Sequence, residues 1–166
     1  DCVTIAEVLK TAGYRTLMSG KWHVGGDFDP RDADTWKVGD VGHPTPRQRG
    51  FDRFYGIVDG ATHFFSPHYV MEDDARIEVD PTGYYFTDAI TDNAITMMEE
   101  ASADASPFFL YLAHAAPHWP LHAYPEDIAK YDGVYSKGWD AMRGARHERM
   151  NATGVFQHTF DISPRD

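Results

Sequence analysis

The stretch Ser106-Pro107-Phe108-Phe109-Leu110-Tyr111-Leu112-Ala113 decides the fold class. A turn-forming Ser-Pro pair opens it, and an unbroken apolar run follows. A strand with one wet face alternates apolar and polar residues. A run that is apolar throughout belongs in a parallel sheet covered by helices on both sides. The residues upstream supply one such helix. Ile90, Ala94, Met97, Met98 and Ala101 recur at i, i+4, i+7, i+8 and i+11, which is one helical face, with Thr87 or Asp88 as the cap. Helix followed by strand is half of an α/β crossover unit.

The same order occurs nearer the start. Ile5, Val8, Leu9 and Ala12 lie on one helical face. Thr4 and Glu7 have capping-box spacing, and Gly13 takes the C′ position. Tyr14 to Ser19 then forms a short strand closed by Gly20. Gly25 to Gly50 is rich in Asp, Gly, Pro and Arg and predicts a long surface excursion. Phe54 to Val58 is a further strand candidate, after which Asp59-Gly60 is equally compatible with a hairpin turn and a plain loop. A last helix is expected from about Ser136 to Met150, with Trp139, Met142 and Arg146 on one side. No internal repeat is present.

The composition excludes several classes. The chain has 166 residues, 42% of them hydrophobic and 25% charged, which suits one globular domain and rules out disordered, collagen-like and low-complexity chains. Aromatics at 14% imply a bulky core or an aromatic-lined cleft. A net charge of −11 argues against a general nucleic-acid partner, which needs a basic face, but leaves room for a small anionic substrate. No apolar run approaches the ~20 residues of a membrane span. Cys2 is the single cysteine, so neither an internal disulfide nor a cysteine-rich zinc site forms. Asp1-Cys2 carries no initiator Met or signal-type stretch, and helical periodicity starts at Ile5. The chain is therefore expected to be a piece of a longer protein.

In open α/β sheets, ligands sit beyond the carboxyl ends of the strands. That rule points to Gly20-Lys21-Trp22-His23 and to the tract from His114 through His118 and Trp119 to His122. In an extended segment Lys21 and His23 project to the same side. An ammonium beside an imidazole makes sense around a polyanion, with Lys21 holding oxygens and His23 moving protons. His118 stands between Pro117 and Pro120, which restrict the backbone that delivers it. His114, His118 and His122, spaced by four, would form a metal site on a helix, but the two prolines argue against a helix there. These patterns support an anion-handling α/β enzyme.

The segment Thr4 to Thr16 leading into Gly20-Lys21-Trp22-His23 resembles the second signature of the sulfatases. Pro46-Arg47-Gln48-Arg49-Gly50-Phe51-Asp52 with Phe54-Tyr55-Gly56 resembles the loop that follows it in arylsulfatases. Pro107 to Ala113 with Ala116-Pro117-His118-Trp119-Pro120, and later Tyr131-Asp132-Gly133 and Gly138-Trp139-Asp140, are similar to further segments of bacterial arylsulfatases. The resemblance implies an alkaline-phosphatase-like α/β sandwich, a mostly parallel central sheet flanked by helices, of which 1–166 is an internal part. It implies hydrolysis of a small-molecule or carbohydrate sulfate ester by a formylglycine nucleophile with a divalent cation, usually calcium. By the same resemblance Lys21 contacts the sulfate and the formylglycine, and His23 hydrogen-bonds the formylglycine hydroxyl. His118 is a sulfate ligand near the leaving-group oxygen and a proton donor. Lys21, His23 and His118 are thus the expected catalytic residues, with Lys21 and His118 also binding substrate. The resemblance favours a periplasmic or secreted location and leaves a cytoplasmic one open.

The departures from the family pattern define what is expected outside the segment. Cys2 is followed by Val3-Thr4-Ile5, and no Cys/Ser-x-Pro-Ser-Arg tract occurs anywhere, so the nucleophile lies elsewhere. The metal ligands are likewise expected outside. Asp73-Asp74 and Asp92-Asn93 stand in the wrong context for them, the latter on a helix surface. Two alternatives share the lysine and histidines. One is a phosphodiesterase or phosphonate hydrolase of the same superfamily, and the other a non-catalytic binder of sulfated glycans.

Overall fold

The computed structural model describes residues 2–24, 29–32, 34–103, 105–156 and 158–164. Two units are distinguished, Asp1–His122 and Ala123–Asp166. The first is built on a five-stranded sheet of β1 (Arg15–Lys21), β2 (Arg53–Ile57), β3 (Val70–Glu72), β4 (Ala75–Ile77) and β5 (Phe108–Ala113). The strand order is β4-β3-β2-β1-β5. β2, β1 and β5 run parallel, while β3 and β4 add an antiparallel hairpin at one edge. The α/β class is therefore as expected, and the sheet is mixed. Asp59-Gly60 is a plain loop start, because the next strand begins only at Val70. The hairpin turn falls at Asp73-Asp74, with Asp73 at φ 53. Its carboxylate accepts from the Phe54 amide and pairs with Arg53.

The two faces of β1 are covered differently. Met18 enters a cluster with Ala6, Trp36, Phe51, Phe54, Val58, Tyr69 and Met71. Most of that aromatic mass comes from the long 25–50 excursion and its sequel, although residues 25–28 and 33 lie outside the described part. On the other face, the Ser19 hydroxyl donates to the Ile90 carbonyl at 2.7 Å. Ile90 belongs to α2 (Phe86–Ser102), whose buried residues are Phe86, Ile90, Ala94, Met97 and Ala101. That is the anticipated stripe without Met98 and with Phe86 added. The cap differs from expectation: neither Thr87 nor Asp88 caps the helix. Tyr85 is the N-cap and makes no side-chain cap bond. Phe86 is buried against Phe64, and its amide donates to the Phe64 carbonyl, so tertiary packing starts the helix earlier.

α1 (Ile5–Thr11) carries the expected capping box, Thr4 and Glu7 each bonding the other's backbone N–H. Its expected apolar face is not its buried one. Ala6 is fully buried, while Ile5 and Val8 are exposed. The short helix docks at Gly50, where a Cβ would meet Glu7 at 2.7 Å. That contact turns Ala6 inward. β5 also departs from expectation. Among the described residues it ends the sheet, pairs with β1 alone and leaves Phe108, Tyr111 and Leu112 exposed instead of buried on both sides.

In the second unit, α3 (Pro125–Ala129) had no sequence signal, and α4 (Trp139–Ala152) lies three residues later at its start than expected. Trp139 and Arg146 are exposed and only Met142 is half-buried, so the anticipated inward side is not formed. No helix among the described residues is long and apolar enough to cross a membrane.

Candidate active site

Parallel register brings three strand ends to one edge of the sheet. Gly20 stands opposite Gly56 of β2 and Ala113 of β5. The backbones there are too close for side chains. A Cβ on Gly20 would fall on the Ala113 carbonyl oxygen, and one on Gly56 on the Gly20 carbonyl oxygen. Immediately beyond this row leave Lys21-Trp22-His23, Val58-Asp59-Gly60 and His114-Ala115.

Lys21 ends β1 and is half-buried. Trp22 anchors the exit. Its indole N–H donates to the Pro44 carbonyl at 2.7 Å, and its ring meets Phe51 edge-on at 6.0 Å. The Trp22 and His23 amides continue the ladder, donating to the Ile57 and Val58 carbonyls at 2.9 and 3.2 Å. His23 has φ 46, in the left-handed region. The expected extended Lys21–His23 alternation therefore stops at Lys21. The turned backbone lays the His23 ring on Gly60, where a Cβ would sit 2.7 Å from Nε2. Gly60 thus makes room for the imidazole.

His118 stands in a tight turn, its amide donating to the Ala115 carbonyl at 3.0 Å. Its Nδ1 lies 2.6 Å from the Trp119 carbonyl oxygen. A carbonyl only accepts, so Nδ1 carries the proton and Nε2 of the neutral ring is left with a free lone pair. His118 itself is exposed, while Ala115 at the start of the turn is buried. His114 is exposed as well, directly after β5. His122 is a packing residue: its Nδ1 accepts from the Phe64 amide at 3.3 Å and its ring lies 4.2 Å from that of His63. Lys21 and His118 thus leave neighbouring strands at one edge, with His23 on the β2 side. Among the described residues no hydrogen bond or ion pair joins these three side chains to one another.

No helix runs through the His114–His122 tract, so the spacing-four metal arrangement is absent. Among the described residues no group of three or more His, Cys, Asp or Glu is placed to hold a metal ion. These residues do not fit a calcium cage by themselves. Asp73 and Asp74 are engaged by Arg47, and Arg49 by Glu7. Both arginines hold loops together. Asn93 donates to the Ala89 carbonyl, as a helix residue does.

The sequence reading missed Asp59. Its carboxyl follows β2 at the same edge, and burial pushes it up to about 6, while the charge of Arg31 pulls the other way. Its Oδ1 and the Thr62 hydroxyl are buried without a hydrogen-bond partner among the described residues. The carboxyl-end rule that singled out Lys21 and His118 applies equally to the residue after Phe54 to Val58.

Lys21, His23, Asp59 and His118 thus all lie at or beyond the carboxyl ends of neighbouring parallel strands of an α/β domain. Comparison with known proteins gives the class a name. The Sulfatase family profile matches residues 1–158. An arylsulfatase of Klebsiella aerogenes is 31% identical over 163 residues, covering 92% of this chain and 32% of that protein. An ulvan-active sulfatase of Formosa agariphila is 33% identical over 132 residues, covering 80% of this chain and 23% of that protein. Among solved structures, Ps i-CgsB superposes with a TM-score of 0.62 at 28% identity, covering 76% of this chain and 29% of that one. BT4656, solved with its substrate D-glucosamine-2-N,6-O-disulfate, gives 0.55 at 27% identity, covering 80% and 22%. The chain belongs to the sulfatase family. It spans 32% or less of the length of the two relatives named.

Proposed function

We propose that the protein containing this segment hydrolyses sulfate esters, with Lys21, His23 and His118 as its share of the active site. The observation that carries the reading is the convergence of their strand ends at one sheet edge, within a sulfatase family match. Lys21 offsets the negative charge on the sulfate oxygens. His23, held on Gly60, moves a proton beside the nucleophile. His118, whose Nδ1 is committed to the Trp119 carbonyl, presents Nε2 to the leaving-group oxygen and donates a proton when charged. The nucleophile is a formylglycine and the cation is calcium, both supplied from outside these residues. The substrate is a small-molecule or carbohydrate sulfate ester, and the setting is periplasmic or secreted.

In the full-length enzyme, His118→Ala should lower turnover of 4-nitrophenyl sulfate by about 10²–10⁴, the usual worth of a positioned acid or base. Lys21→Ala and His23→Ala should also lower it. Unchanged rates in all three variants would remove these residues from the site. Parallel assays on an aryl phosphate diester separate the sulfatase from the phosphodiesterase reading. The 166 residues alone should not turn over an aryl sulfate.

A further inference from the structure

The second unit holds a cavity of about 800 Å³ along one side of α4. Its walls include Tyr135, Trp139, Met142, Arg143, Arg146 and Arg149. Trp139, Met142 and Arg146 are the side of the helix that the sequence spacing singled out, and it lines this opening rather than a core. Trp139 is 89% exposed and Tyr135 58%, so two aromatic rings stand open at the start of the helix. The three arginines follow at steps of three residues, which spreads their charges over about 9 Å of helix. Like charges at such spacing repel one another along a helix. No carboxylate among the described residues pairs with any of the three. Arg143 donates to the Ser163 carbonyl at 2.7 Å and to its hydroxyl at 2.6 Å, both uncharged oxygens. Asp140 and Glu148, the acidic residues of α4, do not line the cavity. Residues 123–166 hold six of the 15 basic and seven of the 26 acidic residues, so their net charge is −1 against −11 for the whole chain.

We infer that this side of α4 is a binding site for a sulfated polysaccharide chain, holding sulfates with Arg143, Arg146 and Arg149 and a sugar ring with Trp139. The inference rests on the sulfatase reading for the kind of polymer and on the cavity for the site. A file of cations about one helical turn apart suits an anion that recurs along a chain. A single small sulfate leaves most of the file unused. A guanidinium offers a planar fork of donors to an oxyanion, which an ammonium does not. Trp and Tyr add a broad apolar face, suited to the C–H face of a sugar ring. An acidic peptide takes the arginines and leaves the rings idle, and duplex DNA meets the net charge of −11. The cavity wall is braced, because the chain after α4 is tied back to the helix. Ser163 holds Arg143, and the Phe160 carbonyl bonds His147 Nε2.

The test measures binding of dextran sulfate, unsulfated dextran, polyglutamate and duplex DNA to the full-length protein by calorimetry, at low and at physiological salt. Dextran sulfate should bind and dextran should not. Arg146→Ala combined with Arg149→Ala should weaken dextran sulfate about tenfold at low salt, the scale of two exposed ion pairs. The affinity of that variant should also fall less steeply with salt, because two fewer cations displace counterions from the polymer. Trp139→Ala should weaken binding without altering the salt slope, and Trp139→Phe should recover most of the loss. Arg146, Arg149 and Trp139 are exposed, so each variant should melt with the wild type. Unchanged affinity or an unchanged salt slope in the double variant would overturn the site. So would polyglutamate or DNA held as tightly as dextran sulfate, or a lowered melting temperature, which would show the arginines paired with the rest of the protein. Turnover of 4-nitrophenyl sulfate is the separate check on the sulfatase reading. Its absence removes that reading, while the binding comparison still decides the site.

Discussion

Burial raises the Asp59 carboxyl to about 6, against an ordinary value of 3.8. The sign of the consequence follows from proton counting. Between those values the folded chain holds a proton that the unfolded chain has released, so stability falls as pH rises through that window and is flat above it. Arg31 and His68 soften the effect and Asp29 sharpens it. Asp59→Asn removes the ionisation. Its melting temperature should exceed that of the wild type at pH 7.5, and the gap should close as pH is lowered toward 4. A gap that is constant with pH would mean that Asp59 is ionised in solution like an exposed carboxylate. At this scale the sequence was legible where chemistry stands next to an apolar run. Lys21, His23 and His118 follow strands or short turns after strands, and all three leave at the expected edge. Asp59 follows a strand too, but Asp-Gly is also the commonest turn signal, and burial of a single carboxyl has no sequence signature.

Elements were legible in proportion to how local their causes are. The Thr4–Glu7 capping box is a four-residue device, and it is present. The start of α2 is a tertiary matter: Phe86 is helical because Phe64 packs on it, and no cap residue marks the spot. β1 was expected to close at Gly20, a residue that weakens a strand interior. It continues to Lys21, and Gly20 is used for close approach of β5. Gly20 has φ +128, and any side chain there would strike the Ala113 carbonyl. Gly20→Ala should therefore cost about 3 kcal/mol, combining backbone strain with forced separation of β1 and β5. Urea unfolding would measure it. A loss below about 1 kcal/mol, within the range of an ordinary substitution, would show that the strand ends can spread without consequence for the site between them.

At the scale of the whole molecule, the instructive element is β5. Its six-residue run, FFLYLA, has the composition of an interior parallel strand, yet among the described residues it is paired on one side only. The composition correctly gave a parallel sheet and gave the wrong burial, because burial depends on what packs against the strand and not on its composition alone. An apolar edge strand without lysine or proline is a template for pairing with another chain. The 166 residues purified alone should therefore self-associate as concentration rises, which sedimentation velocity would detect. Tyr111 and Leu112 are 46% and 42% exposed and point to opposite faces, so Tyr111→Lys with Leu112→Lys places a charge on each side of the strand. The double variant should sediment as a monomer over the range in which the parent associates, with unchanged far-ultraviolet circular dichroism. Association that is indifferent to the two lysines would move the sticky surface away from β5, to the exposed aromatics of the second unit such as Trp139 and Tyr135. A parent that stays monomeric throughout would mean that the β5 edge is already blunted, despite its composition.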